Sequence, residues 1–220
     1  MIVDELSASL EQMVYTKLEE EILSGELPRG TALGEISLSK RIGVSRTPVR
    51  GALHRLREEG LVELIPNKGA TVVGITAEDL IDIYRIRQRL EGLASALASK
   101  RITDEEIDKL TETVELADFY IRKNDAEHIK ELDTVFHSII YKASGSRFLS
   151  GTLSELHKKI KSYRKRSLLV PGRLQKSAEE HREILEAIKN GDSEKADAIT
   201  SLHVEKALEN MLTTATDTQI

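Results

Sequence analysis

Leu10, Val14, Leu18 and Ile22 recur every four residues in an otherwise polar stretch, which predicts an amphipathic helix near the start of the chain. Gly25 is placed to end it, and Pro28 marks the break. A shorter helix is expected from Glu35 to Ile42, turning Leu38 and Ile42 inward. Gly43 then permits a tight turn. Ser45 stands as an N-cap, and Pro48 falls in the first turn of a third helix, where its missing N–H is harmless. That helix runs to about residue 59, and Gly60 stops it. "LVELIP" and "GATVV" follow with the composition of strands, joined by Asn67-Lys68-Gly69 as the turn.

The pattern changes between residues 73 and 76, and beyond it no strand is expected. Thr76 with Asp79 reads as a helix start, and Ile83, Ile86, Leu90, Leu93 and Leu97 form the apolar stripe of a long helix. Thr103 with Glu106 repeats the start signal, followed by Ile107, Leu110, Val114 and Ile121. Further helices are expected over 125–143, 146–169, 174–190 and 193–212, separated at Gly145, Pro171-Gly172 and Gly191. The final "TTATDTQI" is expected to fray. The chain is therefore mostly α. Residues 1–74 form a helix-rich unit closed by a hairpin, and residues 75–220 form an all-α antiparallel helical bundle.

Composition narrows the function classes. The 220 residues include no cysteine, which removes disulfides and thiolate metal sites. No basic-then-apolar leader and no membrane-length apolar run is present, so the expected location is the cytoplasm. The formal net charge is -5, which argues against general affinity for nucleic acid. The distribution argues otherwise. Lys40, Arg41, Arg46, Arg50, Arg55 and Arg57 fall between Ile36 and Arg57 with no acid among them.

On the third helix Val49, Ala52, Leu53 and Leu56 share one face, while Arg46, Arg50, His54 and Arg57 share another. Most basic helix faces are simply solvated. Here a short helix and a glycine turn precede the basic helix and a hairpin follows, the order of a winged helix-turn-helix. Its third helix would enter the major groove N-terminus first. Arg46 and Arg50 could reach guanine edges or phosphates, and Ser45 and Thr47 phosphate or base. Lys68 and Gly69 would form the tip of the wing. The stretch "ILSGELPRGTALGEISLSKRIGVSRTPVRGALHRLREEGLVELIPNKGATV" resembles the GntR family of bacterial transcription regulators, most specifically in "GVSRTPVR". The resemblance implies DNA contacts at Ser45, Arg46, Thr47, Arg50, Lys68 and Gly69. One departure is Gly51, which gives "VRGAL" where the family usually has "VREAL".

In the second region Asp133 and His137 lie one helical turn apart on an otherwise apolar face. His181 sits with Ile184, Leu185 and Ile188, and His203 with Ile199 and Ala207. Each of these histidines alone could equally be a satisfied core or surface residue. Facing helices of a bundle can bring such side chains together on a metal, and imidazole with carboxylate suits Zn²⁺, Ni²⁺, Fe²⁺ or Mn²⁺. His128 and His157 read as surface residues. The basic run Lys158, Lys159, Lys161, Arg164, Lys165 and Arg166 reads as a solvated helix face.

"DIYRIRQRLEGLASALA", "ELDTVFHSIIYKASGSRFL" and "EEHREILEAIKNGDSEKADAITSLHV" resemble the ligand-binding FCD domain of the FadR subfamily. The resemblance implies a divalent metal, Zn²⁺ or Ni²⁺ first and Mn²⁺ or Fe²⁺ next, on Asp133, His137, His181 and His203. It also implies that Arg87 points into the cavity, where its guanidinium could hold an organic carboxylate. The alternative for Arg87 is an ordinary salt bridge to Glu91. The function expected is a ligand-responsive regulator, more often a repressor, binding operator DNA as a homodimer and a small organic acid as effector, with no membrane partner. A metal-free regulator sensing an acyl or apolar ligand is the alternative. A metal-dependent hydrolase is a more distant one, because no HExxH and no nucleophile elbow is present. The expectation is therefore no enzyme.

Overall fold

The computed structural model describes residues 2–66, 68–161, 163 and 172–216, with side chains described from residue 9 to residue 213. Asn67, Pro171, Arg164 to Arg166 and the last four residues of the C-terminal tail lie outside the described residues. The chain divides into two compact units, Met1–Ala77 and Glu78–Ile220.

The first unit contains α1 (Ile2–Ser24), β1 (Ala32–Leu33), α2 (Glu35–Ile42), α3 (Arg46–Glu58), β2 (Val62–Ile65) and β3 (Gly69–Val72). Val14, Leu18 and Ile22 of α1 pack with Leu38 of α2 and Val49, Leu53 and Leu56 of α3 in one aliphatic core. Of the residues expected from the four-residue spacing, Val14, Leu18 and Ile22 are buried and Leu10 is only partly so. Gly43 ends α2 in the left-handed conformation, with φ +81°. The sheet is three-stranded and antiparallel in the order β1-β3-β2. The sequence showed only the hairpin, because β1 is two residues long and has no period to read. Its Leu33 pairs with Ala70, and a Cβ at Gly69 would lie 2.2 Å from the Leu33 carbonyl oxygen. With φ at +97° as well, position 69 requires glycine for the sheet itself. Gly51 has a different reason. A Cβ there would meet the Glu11 carboxylate at 2.0 Å, so the missing side chain leaves room for the Glu11 side chain to lie over α3.

The second unit contains α4 (Ala77–Arg101), α5 (Asp104–Lys123), α6 (Ala126–Ala143), α7 (Arg147–Lys159), α8 (Arg173–Lys189) and α9 (Ser193–Thr216). Thr103 and Glu106 form the expected capping box, each side chain taking up a backbone N–H of the other. Asp125 and Ser146 cap α6 and α7 through their side chains. The helix expected over 146–169 ends at Lys159, and most of its remainder lies outside the described residues.

The stripe expected on α4 requires correction. Ile83 is buried and Leu90 and Leu97 pack against the core as expected, but Ile86 and Leu93 are nearly half exposed, while Leu80, Tyr84, Arg87, Glu91, Ala94, Ser95 and Ala98 are buried. Small residues let α9 come close. A Cβ on Gly92 would fall 2.1 Å from Asp197, and Thr200 of α9 donates to Ser95 at 2.8 Å. The aliphatic stripe thus overlaps the buried face only in part, because close helix contact selects for small volume instead.

Candidate nucleic-acid interface and metal centre

Ser45 occupies the N-cap position of α3 in extended conformation, and its side chain makes no capping hydrogen bond. Ser45, Arg46, Thr47 and Arg50 are all exposed at the start of the helix. Arg46 and Arg50 border an open groove between α3 and the hairpin, which Glu35, His54, Lys68 and Gly69 also line. Lys40 lines the same groove, whereas Arg41 and Arg55 are engaged elsewhere. Arg41 pairs with Glu21 of α1 at 2.6 Å. Arg55 bonds Gln12 and lies over the ring of Tyr15 at 4.0 Å. The basic run is thus divided, with part buttressing α1 and part facing the groove.

Glu35, the first residue of α2, was not anticipated as part of this surface. Its carboxylate accepts from Nε and Nη2 of Arg50 at 3.0 and 2.8 Å and from Nη2 of Arg46 at 3.0 Å. Hydrogen bonds from Arg50 first, and then Arg46, hold its carboxyl at a pKa of about 2. Its position eleven residues before Arg46 gives no periodic signal.

In the second unit α6, α8 and α9 bring His137, His181 and His203 together. One ring nitrogen of each lies within 4.8 Å of the others, and all three residues are buried. Asp133, one turn before His137, is buried beside them. Its Oδ1 lies 3.8 Å from Nε2 of His137 and 3.6 Å from Nε2 of His181. Phe136 stacks on His181 with ring centroids 4.1 Å apart. Nε2 of His137 is buried without a hydrogen-bond partner among the described residues, a costly arrangement for a ring nitrogen unless something else engages it. Neutral imidazoles and a carboxylate at this spacing fit a divalent transition metal.

Two further carboxylates stand behind the imidazoles; the sequence pointed to Glu91 only as a partner for Arg87 and did not point to Glu180. Glu180 on α8 lies 2.7 Å from Nδ1 of His203 and also takes Arg173 at 3.0 and 2.9 Å. Burial pushes the Glu180 carboxyl up, but His203 and Arg173 outweigh it and hold the pKa at about 2. Burial pulls the His203 imidazole down to about 4, against the opposing pull of Glu180, so the ring is neutral at neutral pH. Glu91 on α4 lies 3.1 Å from Nδ1 of His137. It accepts from Nε of Arg87 at 2.7 Å, with Nη2 also 2.7 Å away. Burial raises the Glu91 carboxyl, yet Arg87 and His137 together keep it well below the usual range. The salt bridge considered for Arg87 therefore exists. Nη1 of Arg87 is buried with no hydrogen-bond partner among the described residues.

His157, read from the sequence as a surface residue, is buried, with Nδ1 3.3 Å from the Tyr141 hydroxyl. The missed signal was the spacing of Leu149, Leu153 and His157, which puts the histidine on the buried stripe of α7. His128 is exposed, as expected, and pairs with Asp125.

Comparison with known proteins matches each unit to a known domain family. Residues 10–72 match the family model described as bacterial regulatory proteins, gntR family, and residues 82–206 match that of the FCD domain. The chain is 31% identical over 184 residues to the uncharacterized HTH-type transcriptional regulator YdhC of Bacillus subtilis (strain 168), spanning 83% of this chain and 82% of that one. It is 24% identical over 200 residues to the HTH-type transcriptional repressor RspR of Escherichia coli (strain K12), spanning 91% and 88%. The solved structure of E. coli McbR/YncC superposes with a TM-score of 0.73 at 26% identity, covering 93% of this chain and 98% of that one. Among the described residues no helix is long and apolar enough to cross a membrane. The matches to both family models, with an exposed basic helix and wing in the first unit and a helical bundle in the second, place this chain in the gntR family of bacterial regulatory proteins, as a DNA-binding transcription regulator with an FCD domain.

Proposed function

We propose that the protein is a ligand-responsive repressor whose first unit reads operator DNA and whose second unit holds one divalent transition metal together with a small organic carboxylate. The observation that carries the metal reading is the convergence of three buried histidine nitrogens within 4.8 Å. Asp133, His137, His181 and His203 would hold the metal, with Zn²⁺ or Ni²⁺ the leading candidates and Mn²⁺ or Fe²⁺ the next. Bound there, the metal supplies a fixed positive charge and open coordination positions for an acid. Arg87 contributes a second cation from α4. Its Nε edge is taken by Glu91, and its remaining Nη1 donor suits an effector carboxylate.

On the DNA side Arg46 and Arg50 read base edges, Ser45 and Thr47 contact phosphate or base, and Lys68 with Gly69 approaches the neighbouring backbone. One winged helix covers too few base pairs for useful selectivity, so the protein acts as a homodimer on a two-fold operator. The effector changes operator affinity by binding the two conformational states unequally. The repressor sign is supported by the likeness to RspR of E. coli, itself a transcriptional repressor.

Elemental analysis of the purified protein tests the centre directly. About one transition metal per chain is expected, falling sharply in His181→Ala and His203→Ala. No metal after exposure to Zn²⁺ and Ni²⁺ would overturn the reading.

A further inference from the structure

We propose that Glu35 is a specificity-positioning residue, a carboxylate clamp that orients the Arg46 and Arg50 guanidinium groups toward base edges and penalises their use on phosphates. The inference rests on the reading of Arg46 and Arg50 as the base-contacting pair. It begins with the manner in which the arginines are held. Arg50 gives Glu35 its Nε and one Nη2 hydrogen, the side-on edge of the guanidinium. A guanidinium carries five N–H donors in a rigid plane. The end-on edge, formed by Nη1 and the second hydrogen of Nη2, stays available. That edge matches O6 and N7 of guanine, the commonest specific arginine contact. Arg46 reaches the same carboxylate with one Nη2, so a single anion fixes two long side chains.

This arrangement has two consequences. Both arginine side chains are more than half exposed and would otherwise sample many rotamers. Holding them before DNA arrives lowers the entropy lost on binding. The carboxylate also discriminates between partners. Guanine's O6 and N7 are neutral acceptors and leave the clamp in place. A phosphate drawn to the same arginines brings a second anion beside Glu35, so sequence-independent binding meets repulsion. The strong hydrogen bonds to both arginines keep Glu35 ionised throughout the neutral range. Glu35 thus withholds from the phosphate backbone part of the positive charge that the helix presents.

The test compares wild type with Glu35→Gln, using a duplex selected by the wild-type protein from a randomised library and a scrambled duplex of the same composition. Affinities for both are measured across a salt series. Glu35→Gln should bind the scrambled duplex more tightly and lower the ratio of selected to scrambled affinity by about tenfold. The same substitution in an Arg46→Ala/Arg50→Ala background should leave the ratio unchanged, which a merely structural role for Glu35 would not produce. Thermal melts establish that each variant is folded, and Glu35→Asp, with a shorter reach, should lose the ratio in part. An unchanged ratio in folded Glu35→Gln, or the same loss in the arginine-free background, would overturn the clamp. If Arg46→Ala/Arg50→Ala binds the selected duplex like wild type, the base-contact reading itself fails, and the clamp with it.

Discussion

Oε2 of Glu180 and Nδ1 of His203 lie 2.7 Å apart in the interior of the helical unit. Because Glu180 is ionised, the proton on this contact belongs to Nδ1, which leaves the lone pair of His203 on Nε2. The carboxylate therefore fixes both the ring orientation and the tautomer that a metal ligand needs. Replacing Glu180 with Gln should weaken metal affinity about 10- to 100-fold while the helical content stays unchanged. Competition against a chromogenic chelator measures the first, and circular dichroism the second.

Metal binding should stabilise the second unit. A metal that binds only the folded chain adds about 2.7 kcal/mol when free metal is one hundred times its dissociation constant. Differential scanning calorimetry with and without Zn²⁺ should show an upward shift in the wild type. The shift should disappear in Asp133→Ala/His181→Ala. An equal shift in that variant would mean that Zn²⁺ binds elsewhere.

Arg87 and Glu91 form a buried pair, so truncating one partner strands the other. Arg87→Ala should cost about 3–5 kcal/mol of stability in urea denaturation, because the buried Glu91 carboxyl loses its main partner. Arg87→Met/Glu91→Gln should cost clearly less. The double variant is also the better probe of the effector. It should retain folding but lose stabilisation by small carboxylic acids in a thermal-shift screen. A retained response would assign Arg87 to structure alone.

The two glycines of the first unit should respond in opposite directions. Gly69→Ala places a Cβ against the Leu33 carbonyl at a backbone angle that L-residues rarely adopt. It should destabilise the unit by about 1–3 kcal/mol. Gly51→Ala meets only the flexible end of Glu11. Once Glu11 turns aside, better helix propensity should stabilise α3 by up to about 1 kcal/mol. Thermal melts of both variants against wild type decide the matter.

The sequence by itself determined the local elements and much of the chemistry. Hydrogen bonding along the backbone has fixed periods, so Val14, Leu18 and Ile22 declared one helix face, and Thr103 with Glu106 declared a helix start. The residue types that could read DNA or hold a metal were legible for the same local reason, as were their positions on helix faces. Tertiary structure decided what those periods leave open. On α4, the expected stripe included Ile86 and Leu93, but packing against α9 left these two exposed and buried a neighbouring face of small and charged residues. The pairing of β1 with β3 depends on a partner nearly forty residues away and leaves no pattern in two residues. Spacing put Asp133 and His137 on one face, but only the packing of α6, α8 and α9 brings His137, His181 and His203 within reach of one another. The same packing recruits Glu91 and Glu180 behind the imidazoles, buries His157, and sets Glu35 beside two arginines. Periodicity specifies the face on which a side chain stands. What it meets there depends on interhelical distance and side-chain volume, which only the folded chain combines.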